Sequence, residues 1–257
     1  LIPILKKVIK AYLQLEEHVL LMIKAEFFVQ LIGATFFLIL NIYLAKQGFS
    51  DPEIANFISY RFLAVMLLAF PLGFYIKGKP LKPFFILGSL GVPTVAIALV
   101  LAIQYGLYHY LRPLFILWGV VFTLFQVSSL PYVMRNTSVA NQSHAISLNY
   151  TTHSFGTILS GIMIFGFGQF MREMDEGVIL LFIAALGFFG VYYLLKMKVD
   201  VVVPIKKGLQ WKSYDWDLLL KAIVPTIIIA IGAGLTIPFI NLFFFHNFQI
   251  DSKGFAV

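Results

Sequence analysis

A small set of polar and titratable side chains stands inside long apolar runs, where each needs a physical reason to be there. Glu26, Gln30, Gly33, Phe37 and Asn41 recur at intervals of three or four. At about 100° per residue they fall within about 80° of one another on a helix, a polar stripe on an otherwise apolar rod. Gln30 and Asn41 either face a water-filled path or make hydrogen bonds between helices, which are worth about 0.6 kcal/mol each. Glu26 either serves as a coupling carboxylate or reaches water or Lys24 near the helix end. Asn149 and His153 are one turn apart, and Gly156 and Ser160 continue their face. Histidine changes charge near neutral pH, so His153 can relay a proton or sit neutral in an interhelical hydrogen bond. Thr123, Gln126 and Ser129 precede Pro131, which frees a backbone carbonyl; Gln126 can bind a solute or brace a neighbour. Gly232-Ala233-Gly234, Pro238 and Asn241 mark a bend late in the chain, a packing kink or a binding point. Arg61 is a basic residue well inside an apolar run, and it is expected to snorkel outward towards Asp51 or Glu53.

The chemistry these residues exclude is equally specific. The five His stand at 18, 109, 144, 153 and 246, without metal-ligand spacing. There is no cysteine, no phosphate-cradling Gly loop and no carboxylate pair inside an apolar run. No metal and no cofactor are expected.

The elements that must position these residues are membrane spans. Of 257 residues, 60% are hydrophobic and 12% charged, about half the charge of a soluble domain. Mean hydropathy is +0.90. Seven stretches are long and apolar enough to cross a bilayer, at 24–45, 54–76, 84–105, 113–134, 146–170, 178–196 and 221–247. Runs such as 178–195 are apolar throughout and too long for transmembrane strands, so the expectation is an all-α polytopic membrane protein with seven transmembrane helices. Gly48 to Pro52, Gly78 to Pro83, Arg112-Pro113 and Glu173 to Gly177 punctuate the chain between spans. The small-residue steps Gly88/Gly91, Gly156/Ser160 and Gly187/Gly190 allow close helix approach.

The net charge of +7 reflects topology and not nucleic acid. Of the 19 Lys and Arg, 14 lie on the side of the N-terminus, including Lys6, Lys7, Lys10, Lys77, Lys79, Lys82, Arg135, Lys206 and Lys207. The positive-inside rule then places the N-terminus in the cytoplasm of a multi-pass protein in the plasma (inner) membrane. Residues 1–20 carry Ile2, Leu5, Val8, Ile9, Tyr12 and Leu13 on one face and are expected to lie at the interface as an amphipathic segment. Residues 21–196 would form a six-helix bundle, 197–220 a cytoplasmic linker, and 221–257 the first helix of a second unit. Supporting that division, Asn41-Ile42-Tyr43-Leu44 and Asp51 recur as Asn241-Leu242-Phe243-Phe244 and Asp251, 200 residues on.

Phe36 to Ser59, with Tyr43-Leu44, Gly48-Phe49-Ser50 and Ile54, resembles the first span, outer loop and second span of the major facilitator superfamily. Gly73 to Pro83 resembles its basic signature loop, and Pro131 to Tyr150 its passage from span four to span five. Six spans, a long cytoplasmic loop and the start of a parallel repeat match its layout. The resemblance implies a facilitator-like helical bundle, of which this chain would hold the N-terminal half and one helix more, with the C-terminal half missing as a partner. It implies a secondary transporter moving a small-molecule solute through the lipid bilayer by alternating access, with Gln30, Asn41, Gln126, Asn149, His153 and Asn241 towards the solute. Glu26 and His153 are the candidates for coupling a proton or cation, and Gly73, Lys77, Lys79 and Lys82 for a gating loop. Three positions depart from the family pattern. Lys77 stands where the signature loop carries Asp, Ile116 where proton-coupled members carry Arg, and no Pro follows a Gly between 156 and 168. These departures argue against drug/proton antiport. Of the alternatives, a seven-helix receptor is opposed by the inside N-terminus, the absence of Lys from Ala222 to Phe245 and the lack of Asp-Arg-Tyr after span three. A membrane-embedded enzyme is opposed by the scattered His.

Overall fold

Where apolar residues run without interruption, only helices satisfy the backbone in lipid, and helices are what the computed structural model contains. It describes residues 15–170, 175–198, 215–250 and 252–255, and no strand occurs among them. The helices are α1 Glu17–Lys46, α2 Asp51–Tyr75, α3 Lys82–Gln104, α4 Leu111–Asn136, α5 Gln142–Phe170, α6 Glu176–Leu186, α7 Phe189–Lys196, α8 Trp216–Thr236, α9 Ile240–Phe248 and the short α10 Ser252–Phe255. Single 3-10 turns, Tyr108–Tyr110 and Ile237–Phe239, lead into α4 and α9.

Six helical stretches are long and apolar enough to cross a membrane: α1, α2, α3, Tyr108–Asn136, Glu176–Lys196 and Trp216–Phe248. This is a helical membrane protein. The count is one short of the seven expected. The difference is α5, which is 29 residues long but carries Asn149, Thr151, Thr152, His153 and Ser154 in its first half. The expected span 178–196 is interrupted at Gly187-Phe188, where the N–H of Phe188 and of Gly190 bonds three residues back, to Ala185 and Gly187. Residues 17–20 already belong to α1. The rest of the amphipathic segment to residue 14, and positions 199–214 of the linker, lie outside the described residues.

α1 is the central helix, packing against α3, α5, α6 and α7, while α2 and α3 both pack on α4. Small residues permit this. A Cβ on Gly88 would stand 2.8 Å from the Phe125 Cβ, and one on Gly91 2.6 Å from Val121 Cγ1. Gly156 abuts the Gln30–Leu31 backbone, and Gly187 would meet Ile32 Cδ1 at 2.3 Å. Beside Gly156, Ser160 and Thr35 bond across the seam at 2.8 Å. The core is aromatic, with Phe36, Phe85, Phe115, Trp118, Phe125 and Tyr132 fully buried. Outward faces carry Met66, Leu67 and Phe70 on α2 and Ile228, Ile229 and Leu235 on α8, all more than half exposed, as lipid contact demands.

The Lys46 end of α1 is held by an ion pair. Lys46 Nζ lies 2.5 Å from Glu176 Oε1 at the start of α6, and Ser252 Oγ donates to the same oxygen at 2.8 Å. Glu176 is buried while Lys46 is partly exposed, so removing the cation leaves a buried carboxylate. Lys46→Met is expected to cost about 1–2 kcal/mol, below the range for fully buried pairs because water screens part of it. Denaturant titration in detergent checks this, with Glu176→Gln in the Lys46→Met background restoring part of the loss.

Candidate functional site

The α1 stripe is one wall of a cavity of about 660 Å³ lined by residues of α1, α2, α4 and α5 and by Ile237 of the turn before α9. Glu26, Gln30, Gly33, Ala34, Phe37 and Leu38 come from α1, facing Arg61 and Phe62 of α2, Phe122 and Gln126 of α4, and Asn149, Tyr150, His153 and Thr157 of α5. Gly33 keeps the wall thin, since a Cβ there would lie 3.3 Å from the Phe122 ring. Five of the polar residues singled out from spacing therefore meet at one place: Glu26, Gln30, Gln126, Asn149 and His153.

At one end of the cavity the Glu26 carboxyl, 2% exposed, ties three helices together. Its Oε2 accepts from Ser129 Oγ of α4 at 3.0 Å and from Asn149 Nδ2 of α5. Asn149 Nδ2 also donates to Ser129 Oγ at 2.8 Å. Glu26 does not reach Lys24. Two residues apart on a helix means about 200° of rotation, and Lys24 turns out over the Tyr193 ring at 5.8 Å. No described Lys, Arg or His forms an ion pair with Glu26.

His153 is exposed on the cavity side, and its backbone carbonyl accepts from Thr157 Oγ1 at 3.0 Å. Gln126 is half-buried on the opposite wall.

Asn41 and Asn241 do not line this cavity. The repeat-related residues bond directly to each other, Asn41 Nδ2 to Asn241 Oδ1 at 3.1 Å. Asn41 Nδ2 also reaches the Pro238 carbonyl at 2.5 Å, and Asn241 Nδ2 the Leu38 carbonyl at 3.1 Å. Both are almost fully buried. Pro238 and the 3-10 turn shift the chain so that Asn241 meets the backbone of α1, and the pair closes a helix junction. Alanine at either position is expected to cost about 1 kcal/mol, and the double variant much less than the sum, because both break one junction. A double-mutant cycle on unfolding free energy measures this, and additive losses would mean that the two amides act separately.

Arg61 departs from expectation. Asp51 is taken by His246, Oδ1 to Nε2 at 3.0 Å, and the Glu53 carboxylate accepts from the Ser50 N–H at 2.9 Å in a capping box. Arg61 turns inward, its guanidinium carbon 4.1 Å from the Trp118 ring centre and 5.2 Å from that of Phe122. The cause is Gly119. Without a side chain there, the α2 backbone at Arg61 and the Ala64 methyl press onto α4, so the Arg61 side chain leaves α2 over the adjacent aromatic surface.

The basic loop is tethered at its backbone. Gly78 has φ +71°, a conformation glycine adopts without strain. Arg135, at the end of α4, donates to the carbonyls of Lys79 (3.0 Å) and Ile76 (3.4 Å). Lys82 Nζ donates to the Met197 carbonyl after α7, and Lys79 Nζ stacks 3.1 Å from the Tyr75 ring centre. Lys77 is exposed, and Gly73 lies inside α2 with open space beside it. Nearby, the Ser138 N–H donates to Glu16 Oε1 at 2.8 Å. Burial is the largest single influence and would raise the Glu16 carboxyl, but hydrogen bonds from Ser138, from its own backbone and from Asn141 together hold it below its ordinary value.

Spacing alone did not find Arg61, Trp118, Phe122, Tyr150 and Thr157 as neighbours of the stripe. The one available signal was the isolated Arg in an apolar run. No family model matches this chain, and no curated protein matches it.

Proposed function

We propose that the chain acts as a secondary transporter of the major facilitator type, moving a small solute by alternating access. The observation that carries this reading is the convergence of Glu26, Gln30, Gln126, Asn149 and His153, from three helices, on one cavity inside a membrane bundle. Polar groups are costly at that depth and mark solute or ion paths. In this reading α5 is the seventh membrane helix, its polar first half turned to the cavity. The N-terminus is cytoplasmic, the membrane is the plasma (inner) membrane, and the loop around Lys77, Lys79 and Lys82 belongs to the cytoplasmic gate.

Glu26 and His153 are the coupling groups. An unpaired buried charge is unfavourable, and among the described residues Glu26 has only neutral hydrogen-bond donors. A carboxyl so placed suits a site that binds and releases a proton or cation as the cavity changes access. The solute binds along Gln30, Gln126 and His153. Uptake into proteoliposomes by the full-length chain tests this, with sugars, amino acids, peptides and lipophilic ions, each with and without a pH gradient. The expected result is saturable flux of one class, reduced at least tenfold in Gln30→Ala and His153→Ala. Flux unaffected by both variants would remove the site, and a folded protein that moves none of these solutes would sink the transport reading.

A further inference from the structure

Arg61 makes no hydrogen bond or ion pair with any described residue, and its Nε is buried without a partner. It stands seven residues into the apolar span 54–76, about 10 Å from its start, which is inside a bilayer core about 30 Å thick. Trp118, under its guanidinium, is 1% exposed, and its Nε1 is likewise buried without a partner. Arg61 and Trp118 share a recess of about 20 Å³ beside the cavity, and Arg61 lines the cavity itself. Donors of this strength are rarely left unpaired inside a protein, and a guanidinium offers five of them in a fork that matches a carboxylate. Aromatic faces hold the cation in place, but they leave its in-plane N–H groups for an acceptor.

From this we propose that the cavity takes a monovalent organic anion with an apolar body, its anionic head on Arg61. This deepens the transport reading and rests on the same cavity. One negative charge fits because Arg61 is the one Lys or Arg among the described residues that line the cavity. Glu26 and Phe37 are eleven residues apart on α1, about 16 Å along its axis. Phe37 also lines the recess that holds Arg61. The distance excludes a compact zwitterion bridging both ends. Between them Phe37, Phe62 and Phe122 present an apolar passage for the body.

The test is calorimetric binding to the full-length chain in nanodiscs, at pH 7.4. The probes are 4-phenylbutyrate, 4-phenylbutanol and 4-phenylbutylammonium, equal in shape and different in charge. The expected order puts the carboxylate at least tenfold tighter than the alcohol, with the ammonium weakest. Arg61→Gln should remove that preference, and Arg61→Lys, which keeps the charge without the fork, should retain part of it. Wild-type affinities alone decide the matter if the variants unfold. Equal binding of the three probes, no binding of the carboxylate, or an undiminished preference in folded Arg61→Gln would each overturn the proposal. Binding does not require transport, so the two readings fail separately. Carboxylate binding with no flux of any solute removes the transporter and keeps the anion site. Flux of another solute class that 4-phenylbutyrate does not inhibit removes the anion site and keeps the transporter.

Discussion

Alanine at Gly119 is expected to lower the stability of the folded chain by about 2–3 kcal/mol, the upper part of the usual cost of overpacking a tight interior. The added Cβ would lie 2.4 Å from the Arg61 carbonyl oxygen and 2.8 Å from the Ala64 Cβ. The first of these is backbone, so no side-chain rotation relieves it. α2 must move away from α4 along the seam where Ile58, Arg61 and Ala64 face Phe115, Trp118 and Gly119, and the stacking of Arg61 on Trp118 is lost with it. Gly232→Ala is the control. Gly232 is inside α8 with nothing within 4 Å of its added Cβ, so the change should be neutral or stabilise by up to about 1 kcal/mol through helix propensity. Urea or SDS titration of both variants measures the contrast. Equal stability of the two would show that α2 and α4 are not in the close contact described.

Replacing Glu26 gives the second large effect. Glu26→Ala removes the acceptor shared by Ser129 and Asn149, leaves their buried donors short of a partner and opens a cavity at the junction of α1, α4 and α5. Each unsatisfied buried group costs about 1–3 kcal/mol, so a loss of about 3 kcal/mol is expected. Glu26→Gln keeps the shape and one acceptor oxygen, and should fold with a loss of about 1 kcal/mol. It cannot exchange a proton. In liposomes it should therefore abolish any stimulation of uptake by a pH gradient while leaving solute binding within a few-fold of wild type. An unfolding midpoint of Glu26→Ala equal to wild type would show that the three-helix network contributes nothing. A pH-stimulated Glu26→Gln would place the coupling elsewhere, with His153 the next group to test.

Much of the site follows from helical periodicity. The spacing of Glu26, Gln30, Gly33 and Phe37 required them to share a face, and Asn149 and His153 to share another, because rotation per residue is fixed by the backbone. Neither spacing says which faces meet. The cavity exists because Gly156 lets α5 approach the Gln30–Leu31 backbone, and because Ser129 arrives from α4 to complete the bonding of Glu26 and Asn149. Asn41 lies on the same stripe as Gln30 yet belongs to a junction. Its partner Asn241 lies 200 residues away, and only the position of the Pro238 turn brings them together. The weak hydropathy of α5 has the same origin. A helix with one face on a cavity need not be apolar all round.

The sequence by itself determined that this chain is helical and membrane-embedded, where most of its helices run to within about seven residues though not the breaks at Gly187 and Pro238, and which polar residues share a helix face. These properties are set by neighbours along the chain: backbone hydrogen bonding in lipid, hydropathy and the 3.6-residue turn. The tertiary structure alone decided that Arg61 points inward, that Glu26 is held by neutral donors and not by Lys24, and that the basic loop is tethered by Arg135. Each of these depends on how closely two helices approach, which small residues such as Gly119 permit. Which helices take up that approach is settled only when the whole bundle is packed.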